Sequence, residues 1–168
     1  MGMVALRGAP DDYTSWGLAE WSWPQVLPYF CRLETDRDFG GDVHGSTGPV
    51  TIRRHPQADW PPFCQAVGDA AASRGWGHVD DLNGHFVDGY GALPMSSTLS
   101  GRVPAAGAYL DRSVRARSNL TIMCGTTVER LEFNGARCIG VTCRATGATS
   151  TYRAHRTIVP GPSTHRRC

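Results

Sequence analysis

Histidine, cysteine and paired carboxylates are the residues here that could carry out proton transfer, metal binding or redox chemistry. The six histidines, His44, His55, His78, His85, His155 and His165, lie in stretches expected to be loops or strand ends. No two stand four apart on an expected helix, so each is expected to be a surface or loop histidine rather than a base or ligand. Asp11-Asp12 and Asp80-Asp81 are neighbours, and neighbouring side chains on extended chain point apart, which disfavours a dyad sharing one proton. They are expected as cap and turn residues. Cys31, Cys64, Cys124, Cys138, Cys143 and Cys168 form no C-x-x-C pair and have no histidine at zinc-finger spacing, so no metal ligand and no redox dithiol is assigned. Free thiols in a reducing compartment are expected instead. No G-x-S-x-G, P-loop or G-x-G-x-x-G occurs.

The elements that must position these residues are legible in part. Of 168 residues 40% are hydrophobic, enough for a core, while 20 Gly and 11 Pro require many turns. A net charge of +2, with every one of the 17 basic residues an arginine and no basic block, excludes nucleic acid and acidic membrane as expected partners. The stretch "MGMVALRGAPDD" shows no charged region followed by a long apolar one, and no apolar run reaches about 20 residues, so a cytoplasmic chain without a membrane segment is expected. Helices are expected over residues 11–18, 22–34 and 58–74, with a further helix starting near Pro104. In the second, Ser22 caps, Pro24 sits in the first turn, and Val26, Leu27, Phe30 and Leu33 share a face, with Pro28 inside. The 58–74 helix opens at "DWPP" and aligns Phe63, Ala66, Val67, Ala70 and Ala71. The glycine-rich stretch "FGGDVHGSTGP", residues 39–49, is expected as a lid or irregular cover. Strands are expected at 50–53, 120–123, 127–133, 138–144, 149–153 and 157–159, with hairpin turns at Asn134-Gly135 and Thr146 to Ala148. Read from the residues alone, this is an α+β chain with no assigned chemistry.

Taken in order, "MVALRGAPDDYTSWG", "EWSWPQVLPYFCRLE", "HGSTGPV", "DDLNG", "GYG", the alanine-rich stretch 101–110, "NLTI" and "TTVERLEFNGARCIGV" resemble the middle of a glucose-methanol-choline (GMC) flavin oxidoreductase, across residues 2–159. The resemblance implies an α+β, partial GMC fold: part of an FAD-binding domain plus part of an antiparallel-sheet substrate domain. Residues 1–49 would be FAD-covering helices and lid, 50–115 part of the substrate domain, and 116–159 strands returning to the FAD domain. It implies FAD as cofactor, with Gly2, Met3 and Val4 passing the isoalloxazine ring, Met1 standing where the family has Asn. The backbone of Val128 would hold the adenine end, a position equally served by a plain strand residue. The family's G-x-G-x-x-G precedes the matched span and its catalytic histidine follows it, so no catalytic residue is expected within this chain, nor FAD retention by this span alone. The implied function is that of a fragment of an FAD-dependent oxidoreductase acting on the CH–OH group of a small alcohol, most like the choline or alcohol dehydrogenase branch. The alternative is a non-catalytic binding or regulatory module derived from the substrate domain. After its last strand the family reads Ala-Gly-Ala, two variable residues, Ser-Pro, one more, then Leu. Codons for residues 160–168, shifted to begin on the third base of Val159, can spell that pattern, so 160–168 is expected to be an out-of-frame tail created by a frameshift.

Overall fold

Prolines open the longer helices, because a fixed φ and a missing N–H suit the first helical turn. The computed structural model describes residues 3–159 and 161; of the expected out-of-frame tail, all but Gly161 lies outside them. Helix α1 (Pro10–Ser15) is shorter than expected. Asp12 Oδ2 accepts the Ala9 N–H at 2.7 Å, the expected cap role. Helix α2 (Trp23–Leu33) follows Ser22, whose backbone is extended at the N-cap but whose hydroxyl makes no capping bond, so Ser22 caps by position only. Tyr13 fastens α1 to α2, its ring centre 5.6 Å from Trp23 and 6.2 Å from Phe30.

The chain divides into two compact units, Met1–Ala116 and Arg117–Cys168. In the first, α2 passes directly into strand β1 (Glu34–Asp36), where helix was expected to reach residue 34. Parallel pairing with β2 (Val50–Arg53), Glu34 opposite Val50 and Asp36 opposite Ile52, takes those residues out of the helix. Strands β3 (Met95–Thr98) and β4 (Gly101–Arg102) complete a sheet in the order β1-β2-β3-β4, both added antiparallel. The loop joining β1 to β2 folds back on the end of α2. A Cβ at Gly45 would stand 1.8 Å from the Cys31 carbonyl oxygen, and one at Gly48 would stand 2.4 Å from the Glu34 nitrogen. Only glycine permits this approach.

The expected helix over 58–74 is broken. A 3-10 turn (Gln57–Asp59) precedes α3 (Pro62–Ser73), because Pro61 and Pro62 bias the residues before them away from helix. Its expected apolar face is not covered: Phe63 is 78% exposed and Val67 53%. The helix expected from Pro104 likewise divides into α4 (Ala105–Tyr109) and α5 (Arg112–Arg115), the latter capped by Asp111 accepting the Val114 N–H at 2.8 Å.

The second unit is an antiparallel meander of β5 (Thr126–Asn134), β6 (Arg137–Ala145) and β7 (Ala148–Arg153). Ala145 faces Ala148 across a two-residue turn in which Thr146 and Gly147 both have positive φ, 45° and 83°, the pattern of a type I′ hairpin. Residues 120–123 and 157–159 form no strand; their β-branched composition finds no neighbouring strand to complete its hydrogen bonds, and propensity alone does not make a sheet. Among the described residues no helix is long and apolar enough to cross a membrane.

Candidate functional site

Glu34 and Asp36 stand two apart on β1, so their side chains share one face of the strand. That face is lined by charge. Arg54, just past β2, holds Asp36 through both carboxylate oxygens at 2.9 and 2.8 Å and reaches Asp81 at 3.1 Å. Its guanidinium lies 4.6 Å over the Phe39 ring. Arg7 pairs with Glu34 and donates to the Val43 carbonyl at 2.6 Å. The loop that Gly45 and Gly48 allow to fold back brings His44 among the carboxylates. Its Nδ1 lies 3.3 Å from Glu34 and 3.2 Å from Asp36, and its Nε2 lies 2.7 Å from Asp81. Both ring nitrogens thus meet carboxylate oxygens. Two guanidinium groups face three carboxylates around this ring, all of them buried.

Burial pushes the Asp36 carboxyl up. The Arg54 guanidinium and the N–H groups of Asp38 and Phe39 outweigh it and hold the group below its ordinary value of 3.8. Cys31 moves the other way, burial pushing its thiol above the ordinary value of 9.0 against the pull of Arg7. Ligand atoms of Glu34, Asp36 and His44 lie within 4.8 Å of one another, close enough to share a cation. Glu34 and Asp36 already face guanidinium and backbone N–H groups, and His44 faces the carboxylates themselves, so the three belong to a buried salt-bridge network.

His44, expected as a surface or loop histidine, does lie in a loop, but the fold-back of that loop buries it, which corrects the surface half of the expectation. Asp81 does have the expected turn role, accepting the Asn83 N–H at 3.0 Å, but it is also a buried ion partner. His55, His85 and His155 are exposed and His78 meets Asp80 at 3.1 Å near the surface; His165 lies outside the described residues. The cluster was missed by sequence reasoning. The one available signal was the i, i+2 spacing of Glu34 and Asp36.

Of the residues assigned to the cofactor, Gly2 lies outside the described residues. Met3 and Val4 run alongside β3: the Met3 carbonyl accepts the Ser96 N–H at 2.7 Å, and Val4 faces Met95 in an antiparallel bridge. Val128 belongs to the second unit, on β5 opposite Cys143 beside a register shift, with its side chain 56% exposed. A cavity of about 590 Å³ opens between α3 and residues 90–95, lined by Trp60, Phe63, Val67, Tyr90, Leu93 and Met95.

These elements match oxidoreductases of known structure. Pyridoxine 4-oxidase from Mesorbium loti superposes with a TM-score of 0.79 at 28% identity, over 90% of this chain and 30% of that one. An FAD-dependent oxidoreductase from Chaetomium thermophilum gives 0.78 at 27% identity, over 91% and 29%. In sequence, the chain is 37% identical to 5-(hydroxymethyl)furfural oxidase of Methylovorus sp. over 163 residues, 94% of this chain and 30% of the relative. It is 38% identical to the oxygen-dependent choline dehydrogenase of Pseudomonas aeruginosa over 160 residues, 92% and 28%. The GMC oxidoreductase family model matches residues 2–165, and the chain belongs to that family. It spans about 30% of the length of these relatives. Members of the family use FAD. Ala5 and Arg7 are turned inward while Val4 and Leu6 stand 53% and 50% exposed on the same outward side, an apolar face on a backbone already paired along its inner edge.

Proposed function

We propose that this chain supplies the flavin-facing strand and part of the substrate enclosure of an FAD-dependent oxidoreductase that oxidises the CH–OH group of a small alcohol, of the choline or alcohol dehydrogenase type. The family match over residues 2–165 is the observation that carries this reading. FAD, when bound, supplies the acceptor for hydride leaving the alcohol carbon. On this reading Gly2, Met3 and Val4 hold the ring, the Val128 backbone holds the adenine end, and no residue of this chain is the catalytic base. Residues 1–49 cover the flavin, 50–115 belong to the substrate domain and 116–159 return to the FAD domain. The working partner is a small alcohol in the cytoplasm, with no nucleic acid involved.

The test is a segment exchange. The matched stretch of 5-(hydroxymethyl)furfural oxidase is replaced by this chain and the product is purified. Flavin absorbance that survives gel filtration, with oxidation of the aldehyde-alcohol substrate retained, is the expected result. A folded but colourless protein would falsify the reading.

A further inference from the structure

Pro94 creates a defect in the pairing of the segment that carries Val4 and Leu6. Ala5 and Pro94 stand opposite each other, next to the Val4–Met95 bridge, and the Ala5 N–H donates to the Pro94 carbonyl at 2.8 Å. In an antiparallel ladder such a pair exchanges two hydrogen bonds. Proline has no N–H, so the reciprocal bond to the Ala5 carbonyl cannot form. Asn83 supplies it. Its Nδ2 donates to the Ala5 carbonyl at 3.1 Å, and its Oδ1 accepts the Arg7 N–H at 3.0 Å. Both partners are backbone groups of fixed polarity, which settles which side-chain atom is nitrogen and which is oxygen. The carboxamide acts as a detached peptide unit continuing β3's pairing past Pro94, and Asn83 and Pro94 are both fully buried. Asn83 is itself tied back to the ionic cluster through Asp81, which Arg54 and His44 hold.

We infer that Asn83 is the positioning residue for the flavin-facing strand, fixing the twist of residues 3–7 so that Val4 and Leu6 present their apolar side chains together. This rests on the flavin reading of that strand proposed above. Asn83 does not touch the ring; it acts through the backbone of Ala5 and Arg7. The residue next to Pro94 in space thus carries a demand that Pro94 itself creates, which gives the inference a second handle: restoring an N–H at position 94 substitutes for the lost amide.

The experiment is hydrogen exchange read by mass spectrometry on the segment-exchange protein described above, which supplies the rest of the flavin-binding fold, stripped of its flavin and titrated with riboflavin, following the peptide that covers residues 3–8. In the unsubstituted protein riboflavin slows exchange in that peptide. In Asn83→Asp, which keeps the acceptor for Arg7 but sets an oxygen against the Ala5 carbonyl, half-maximal protection moves to about tenfold higher riboflavin, the scale of one or two lost hydrogen bonds. Peptides from β2 report that the unit is still folded. Should Asn83→Ala unfold it, the double variant Asn83→Ala with Pro94→Ala recovers both the fold and part of the riboflavin protection. Absence of any riboflavin effect in the unsubstituted protein overturns the flavin reading and this inference with it. A riboflavin effect that Asn83→Asp leaves unchanged, or a double variant that recovers nothing, overturns the inference alone.

Discussion

Asp36 shows most directly how a single carboxyl ties the first unit together, accepting from Arg54 and from the N–H groups of Asp38 and Phe39 at 2.9 and 3.0 Å. A carboxyl held below 3.8 when folded stays ionised where its unfolded counterpart takes up a proton. Its contribution to stability is therefore complete above 3.8 and is lost as pH falls through the lower folded value. Urea midpoints followed from neutral pH into acid are expected to drop in that window. Asp36→Asn removes this share of the acid dependence and leaves Arg54 buried without its main counter-charge, at a cost of about 3–5 kcal/mol; urea unfolding at neutral pH measures it. At this scale the sequence was only partly legible. Asp12 as a cap follows from its position at the start of a helix, but His44 could not be placed, because nothing in local spacing shows that a loop doubles back onto the strand before it.

The doubling-back is an element-scale property and rests on the glycines of "HGSTGP". Gly45→Ala drives a methyl into the Cys31 carbonyl, backbone against backbone, and is expected to cost roughly 1–3 kcal/mol or more. Gly40→Ala, in the same loop with nothing within 4 Å of an added Cβ, is expected to be close to neutral. Thermal unfolding of the two variants side by side separates close packing from loop composition, and equal losses would count against the fold-back as the cause. Elements with their own local signals were legible: α2 from its proline and apolar spacing, the β5–β7 meander from its alternation and its two turns. Those that depend on distant partners were not. Residues 34–36 continue a helical pattern yet become β1 because β2 and the ionic cluster claim them, and residues 120–123 have strand composition but no strand beside them.

For the molecule as a whole, the first unit leaves large apolar side chains open, with Tyr29 at 68%, Phe63 at 78% and Leu99 at 90% exposure. Such faces favour self-association. Phe63→Ser is expected to raise the fraction of monomer in gel filtration at rising concentration while changing the unfolding free energy read from urea titration by less than about 0.5 kcal/mol; a loss of stability instead would mean that Phe63 is packed in solution. Family membership was legible because the order of short motifs survives at 37% identity, whereas the packing of α3 was not, since an apolar helix face does not announce whether anything covers it. The interior has a thermodynamic consequence of its own. Among the described residues, the buried set holds Arg7, Glu34, Asp36, His44, Arg54, Asp81 and Asn83 against few large apolar side chains such as Ile52 and Val79. Hydrating polar groups on unfolding lowers the heat capacity, while hydrating apolar groups raises it. Calorimetry of this chain is therefore expected to give a heat-capacity increment below the usual ~12–15 cal/mol/K per residue, and with it a shallow stability curve that changes little with cooling.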